Sequence, residues 1–168
     1  MKNDEVIIRV GLLFYISSII GFIYEYLLNL VLNGRSVSHG ILYGPWLPIY
    51  GTGSVLISFL EKYKSKPLKI FIISFLLTGT LELICGYILF NFLHKRLWDY
   101  TGWFLNINGF VCLLSATCFG IGGLLIIYLL LPFIKKIMNK IDKNFLKILL
   151  GSISLLFIID VIYTIINH

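Results

Sequence analysis

The sequence predicts an all-α membrane protein, a polytopic bundle of about five transmembrane helices forming a single domain over residues 1–168. Three observations carry that expectation. Of the 168 residues 58% are hydrophobic and 13% charged, against roughly 25% charged in soluble domains. A soluble fold of this length buries only about two-thirds of the surface its unfolded chain exposes, too little to hide so apolar a chain. Apolar runs of about 20 residues, the length that crosses a bilayer core, recur along the sequence. Lysine and arginine fall in the connections between those runs, and far more of them in alternate connections.

The runs are 10–32, 41–60, 68–93, 109–133 and 145–166. The first is preceded by MKNDEVIIRV, which mixes both charge signs. It is too long for a signal-peptide core and no small-residue cleavage site follows it, so it is kept as a membrane helix. Backbone groups in lipid must be hydrogen-bonded within the segment, and none of the runs alternates as a barrel strand does, so each is read as a helix.

Orientation follows from summing the cations. With five crossings, Lys2, Arg9, Lys62, Lys64, Lys66, Lys69, Lys135, Lys136, Lys140, Lys143 and Lys147 share one side, against Arg35, Lys95 and Arg96 on the other. The N-terminus is therefore expected in the cytoplasm, with the 35–53 and 95–108 connections on the extracytoplasmic side. The net charge of +6 reads as an orientation signal beside anionic lipid, not as nucleic-acid binding. Neither basic connection holds a Gly-rich phosphate cradle, so ATP hydrolysis would need a separate subunit.

The two outer connections are not ordinary loops. RSVSHGILYGPWLPIYGTG carries Gly40, Gly44, Gly51 and Gly53, which allow torsions and close approaches that other residues resist, and Pro45 and Pro48, which fix φ and remove donors. LWDYTGWFLNINGF carries Trp98, Tyr100, Trp103 and Phe104, as expected of an aromatic belt, together with Asp99, Asn106, Asn108 and Gly109. Irregular backbone at membrane depth is tolerated only where protein covers it or it lines a cavity, so both loops are expected to be re-entrant.

Three acids lie inside the apolar runs: Glu25, Glu82 and Asp160. An ionised acid at mid-bilayer costs on the order of 3 kcal/mol, so each needs a partner, a proton or a wet cavity. The reading is a polar site opening outward, built from Glu25, Arg35, Tyr43, Tyr50, Glu82, Asp99, Tyr100, Asn106 and Asn108, with the two loops as its cover. Arg35 could pair with Asp99 or with a ligand's phosphate or carboxylate. The bland alternative is acids that merely hydrogen-bond helices together, and membership of Asp160 is left open. Cys85, Cys112 and Cys118 read as small core residues, and His39 stands without a second ligand at metal spacing, so neither a metal nor a cofactor is expected. A weak parallel repeat pairs Gly21, Glu25 and the first loop with Gly79, Glu82 and the second, leaving the last helix as an addition.

With GxLxGPxxPIYGxG at Gly40, Leu42, Gly44, Pro45, Pro48, Ile49, Tyr50, Gly51 and Gly53, an acid on the preceding helix, WDY at 98–100 and NxNG at 106–109, the chain resembles the bacterial putative type IV ABC-transporter permease family. The similarity covers the first four helices. It implies a transport component served by a separate cytoplasmic ATPase, and a chain this small would need a homodimer or a second membrane subunit to enclose a pathway. Two other readings stand beside it. One is a membrane-embedded enzyme or head-group-binding protein with a glutamate as acid or base. The other is a scaffold docking a partner through its rigid outer loops.

Overall fold

A computed structural model describes residues 2–33, 40–94 and 96–167. Its elements are α1 (Lys2–Asn33), α2 (Pro48–Ser58) running on as a 3-10 turn (Phe59–Tyr63), α3 (Pro67–Leu93), α4 (Leu113–Leu125), α5 (Leu131–Lys140) and α6 (Lys143–Asn167), with a π-helical turn (Ile126–Leu130) joining α4 to α5. The described residues contain no strand, only an isolated bridge between Ile107 and Val111. Four of the helical segments are long and apolar enough to cross a membrane: Asn3–Val31, Pro67–Leu93, Leu113–Lys140 and Lys143–Asn167. The chain is thus an all-α, multi-pass membrane protein.

Several expected boundaries differ, beginning with α1, which starts at Lys2 instead of residue 10. The 41–60 run is not helical from its start: residues 40–47 are irregular and the helix begins at Pro48. Proline is well placed in a first helical turn, where its missing N–H would be an orphan in any case, and it disfavours helix in the residue before it. The 109–133 run begins its helix at Leu113 and continues past its expected end to Lys140. Loss of apolarity at Lys135 and Lys136 marks an exit from lipid, not an end to the helix, since lysine is a good helix former. The π turn sits just before Pro132, whose ring crowds the carbonyl four residues back and supplies no N–H to it.

The chain divides into two compact units, Met1–Gly51 with Pro132–His168, and Thr52–Leu131. In the first unit α1 and α6 run parallel. Lys143 and Lys147 at the start of α6 pair with Glu5 and Asp4 at the start of α1. Further along, Leu150 packs on Gly11, and the Tyr15 hydroxyl donates to Ser154 Oγ at 2.8 Å. Phe157 meets the edges of Phe14 and Tyr15.

In the second unit α3 and α4 pack antiparallel through small residues, as membrane helices do when backbones approach closely. Phe71 lies where a side chain on Gly120 would go, Ser74 where one on Gly123 would go, and Gly79 faces Ala116 and Val111. Ile57, Ile70 and Ile127 are buried in this unit. A Gly123→Val substitution would drive its Cβ into Ser74 of α3. It is expected to cost about 1–3 kcal/mol, read as a lower thermal midpoint of the detergent-solubilised protein.

Of the three cysteines read as core residues, Cys112 is buried, Cys85 is half-buried and Cys118 is exposed. Sulfur is apolar enough to face lipid as readily as protein, so cysteine type alone did not decide the face.

Candidate functional site

Glu25 is met by a tyrosine from the helix that follows it in the chain. Gly21 and Glu25 stand one turn apart on α1. The Tyr50 ring occupies the space a side chain on Gly21 would need, and its hydroxyl donates to Glu25 Oε1 at 2.6 Å. Tyr24 presents its ring edge-on to Tyr50 at 6.4 Å, and Asn29 Nδ2 donates to the Glu25 carbonyl at 2.8 Å. Gly51 brings α2 so near α1 that a Cβ there would lie 2.7 Å from the Phe14 carbonyl oxygen. Tyr50 is in the first turn of α2, its N–H bonded to the Leu47 carbonyl at 3.1 Å.

The irregular segment before it lies on α6, and Asp160 is its anchor. The Asp160 carboxylate accepts the N–H of Tyr43 at 3.0 Å, the N–H of Gly44 at 2.9 Å and the indole N–H of Trp46 at 2.6 Å. Phe157 and Tyr163, three residues to either side of Asp160, meet the rings of Trp46 and Tyr43 at 5.8 and 5.2 Å. Gly44 must be glycine because the Trp46 indole fills its Cβ position. Gly40, at φ 113°, adopts a left-handed conformation with Leu47 folded against it. This segment covers α6, and Tyr50, which follows it, is the residue whose hydroxyl reaches Glu25. Tyr43, 67% exposed, is a ring on the anchor. Arg35 lies outside the described residues.

In the second unit Glu82 is 4% exposed. Its Oε1 accepts the Tyr100 hydroxyl at 3.0 Å and its Oε2 the Ser115 hydroxyl at 2.9 Å. Ser115 also closes a reciprocal cap on α4, in which Cys112 Sγ accepts the Ser115 N–H and Ser115 Oγ accepts the Cys112 N–H. The acid is thereby tied to the start of the next helix.

The 96–112 connection is a self-bonded loop that delivers Tyr100. Arg96 donates to the Asn108 carbonyl at 2.8 Å and pairs with Asp99 at 3.3 Å, its guanidinium lying over Phe110. Trp98 Nε1 donates to the Phe110 carbonyl at 2.8 Å, and the Tyr100 N–H to the Gly109 carbonyl at 2.9 Å. Asn106 Oδ1 accepts the Gly109 N–H, while Asn108 donates to the Tyr87 hydroxyl. Gly109, at φ 73°, is wedged against Arg96, Asp99 and Thr101. Asp99, Asn106 and Asn108 therefore build the loop. Asp99 is half-exposed with Arg96 as its described ionic partner.

The Asp99 carboxyl is held below its ordinary pKa by the Thr101 hydroxyl and N–H and by Arg96. A depressed folded-state value contributes stability above the ordinary carboxylate range and loses it as pH falls through the folded value. Fluorescence of Trp98, in a variant carrying Trp46→Phe and Trp103→Phe, is expected to stay flat from neutral pH down to about 4 and to change only below that.

Of the residues singled out in the sequence, Glu25 is thus hydrogen-bonded to Tyr50 and Glu82 to Tyr100. Sequence reasoning missed Ser115, which reads as a packing residue, and the indole of Trp46. It also treated α6 as an addition, although α6 supplies Asp160, the anchor of the first loop. Among the described residues no group of three or more His, Cys, Asp or Glu could hold a metal ion. Two carboxylates lined by hydroxyls are suited to binding a proton, a cation or a solute's polar group.

A family model described as "Putative ABC-transporter type IV" matches residues 12–165. No curated protein and no solved structure matches the chain.

Proposed function

Because the chain belongs to the putative type IV ABC-transporter family, we propose that it acts as a permease-like component binding a small solute or ion at polar sites around Glu25 and Glu82. The observation that carries this reading is the recurrence of one device. In each unit an acid inside an apolar helix is met by a tyrosine hydroxyl delivered from the segment that follows it. Acids within membrane helices are expensive and by default mark substrate or ion paths.

The lysine asymmetry supports a cytoplasmic N-terminus in the cell membrane. The parallel course of α1 and α6 puts Lys143 and Lys147 on the same side as the start of α1. Energy then comes from a separate cytoplasmic ATPase, and a second copy or another membrane subunit completes the pathway.

The test is purification of the tagged protein from its native membrane in mild detergent. A stoichiometric nucleotide-binding subunit, with ATP hydrolysis reduced by Glu25→Gln and Glu82→Gln together, is the expected result. A preparation with no ATPase and with lipid bound beside Glu25 would overturn it.

A further inference from the structure

The geometry points to Asp160 as the positioning residue for the Glu25–Tyr50 pair, an inference that rests on Glu25 being a site residue. The described hydrogen bonds of Asp160 go to Tyr43, Gly44 and Trp46, and Asp160 acts on the pair through them. Its carboxylate gathers three donors from one short stretch, the N–H groups of Tyr43 and Gly44 and the Trp46 indole. Two of these are backbone amides of irregular chain, which in lipid have no water to satisfy them and would cost dearly if left alone.

Three bonds to a carboxylate fix the path of residues 43–46, and the next contacts carry that path forward. The Trp46 N–H donates to the Gly44 carbonyl at 2.8 Å, the Leu47 N–H to the Ser18 carbonyl on α1 at 3.1 Å, and the Tyr50 N–H to Leu47 at 3.1 Å. Leu47 is buried, and Pro48 opens α2 directly after it. The first turn of α2 is thus set against α1 at Ser18, and that register places the Tyr50 ring on Gly21 with its hydroxyl on Glu25.

A carboxylate is required because an amide offers one acceptor oxygen where three donors converge, and its NH2 group would face an N–H. Phe157 and Tyr163 grip the same stretch from the same face of α6 through ring contacts.

The test reads Glu25 directly. The full-length protein in detergent is treated with dicyclohexylcarbodiimide, and adducts at Glu25 and Glu82 are followed separately by peptide mass spectrometry. Tyr50→Phe, which strips the hydroxyl from Glu25, sets the scale for an uncovered acid. Asp160→Asn is expected to raise the Glu25 rate toward that scale, by about fivefold, the size of one lost hydrogen bond, with the Glu82 rate unchanged.

Gly123→Val serves as a destabilised control outside this network. It is expected to lower the thermal midpoint while leaving the Glu25 rate as in the parent. A parental Glu25 rate in Asp160→Asn would overturn the assignment, and so would an equal rise in Gly123→Val or a parallel rise at Glu82. Labelling needs no substrate and no ATPase, so these outcomes stand apart from those that decide the transport reading.

Discussion

Glu82→Ala is expected to lower the stability of the protein by about 3 kcal/mol or more, whereas Glu82→Gln costs much less. The carboxylate is buried and serves two donors, the Tyr100 and Ser115 hydroxyls. Truncation opens a cavity where the side chain lay, which costs about 2–5 kcal/mol for a buried side chain of this length, and takes an acceptor from both hydroxyls, although the Ser115 hydroxyl keeps the Cys112 carbonyl at 3.0 Å. The damage spreads because Ser115 also caps α4 with Cys112. Glutamine keeps the length and one acceptor oxygen, so one of the two hydroxyls retains its partner.

The pair of variants separates two roles. A thermal-shift measurement in detergent should show a large drop for Ala and a small one for Gln. If Gln also spares the ATP hydrolysis of the purified assembly, Glu82 holds helices together and the site reading loses half its basis. If Gln abolishes hydrolysis at nearly unchanged stability, the charge itself is used.

The lipid-spanning helices were legible in the sequence, because apolar runs near bilayer length can hardly be accommodated in water. Glu25 and Glu82 each precede a Gly- and aromatic-rich connection in the sequence, but the partner of Glu25 comes from α2 while that of Glu82 comes from its loop. What the sequence did not show was which loop atoms reach the acids. Tyr43 and Tyr50 look alike in GILYGPWLPIYG, yet one lies on α6 and the other on Glu25. The difference comes from Pro48, which starts a helix between them, and from Asp160, more than a hundred residues away. Long-range contacts of that kind leave no local signature. Asn106 and Asn108 likewise read as ligand amides, but their side chains are used by the loop's own turn and by Tyr87.

Gly21→Val should be among the most damaging substitutions in the first unit, and its cost should depend on Tyr50. A Cβ on Gly21 would fall among the Tyr50 ring atoms, including its Cβ, so the clash is with the root of the side chain and a rotamer change relieves little of it. Either α2 moves off α1 or the ring leaves Glu25. Overpacking of this kind typically costs about 1–3 kcal/mol, and loss of the hydrogen bond about 0.5–1.5 kcal/mol more.

Tyr50→Ala removes the same hydrogen bond and opens the space that the valine needs. The two changes should therefore be strongly non-additive. Gly21→Val in the Tyr50→Ala background is expected to cost little beyond Tyr50→Ala alone, a coupling of about 1–3 kcal/mol in a double-mutant cycle of unfolding midpoints. Simple additivity would mean that Gly21 and Tyr50 do not meet, and the seating of the tyrosine over Glu25 would fall with it. Tyr50→Phe keeps the ring on Gly21 and loses only the hydroxyl, so in that background the valine should remain as costly as in the parent. That contrast separates the role of glycine as a seat for the ring from the role of the hydroxyl as a partner for the acid.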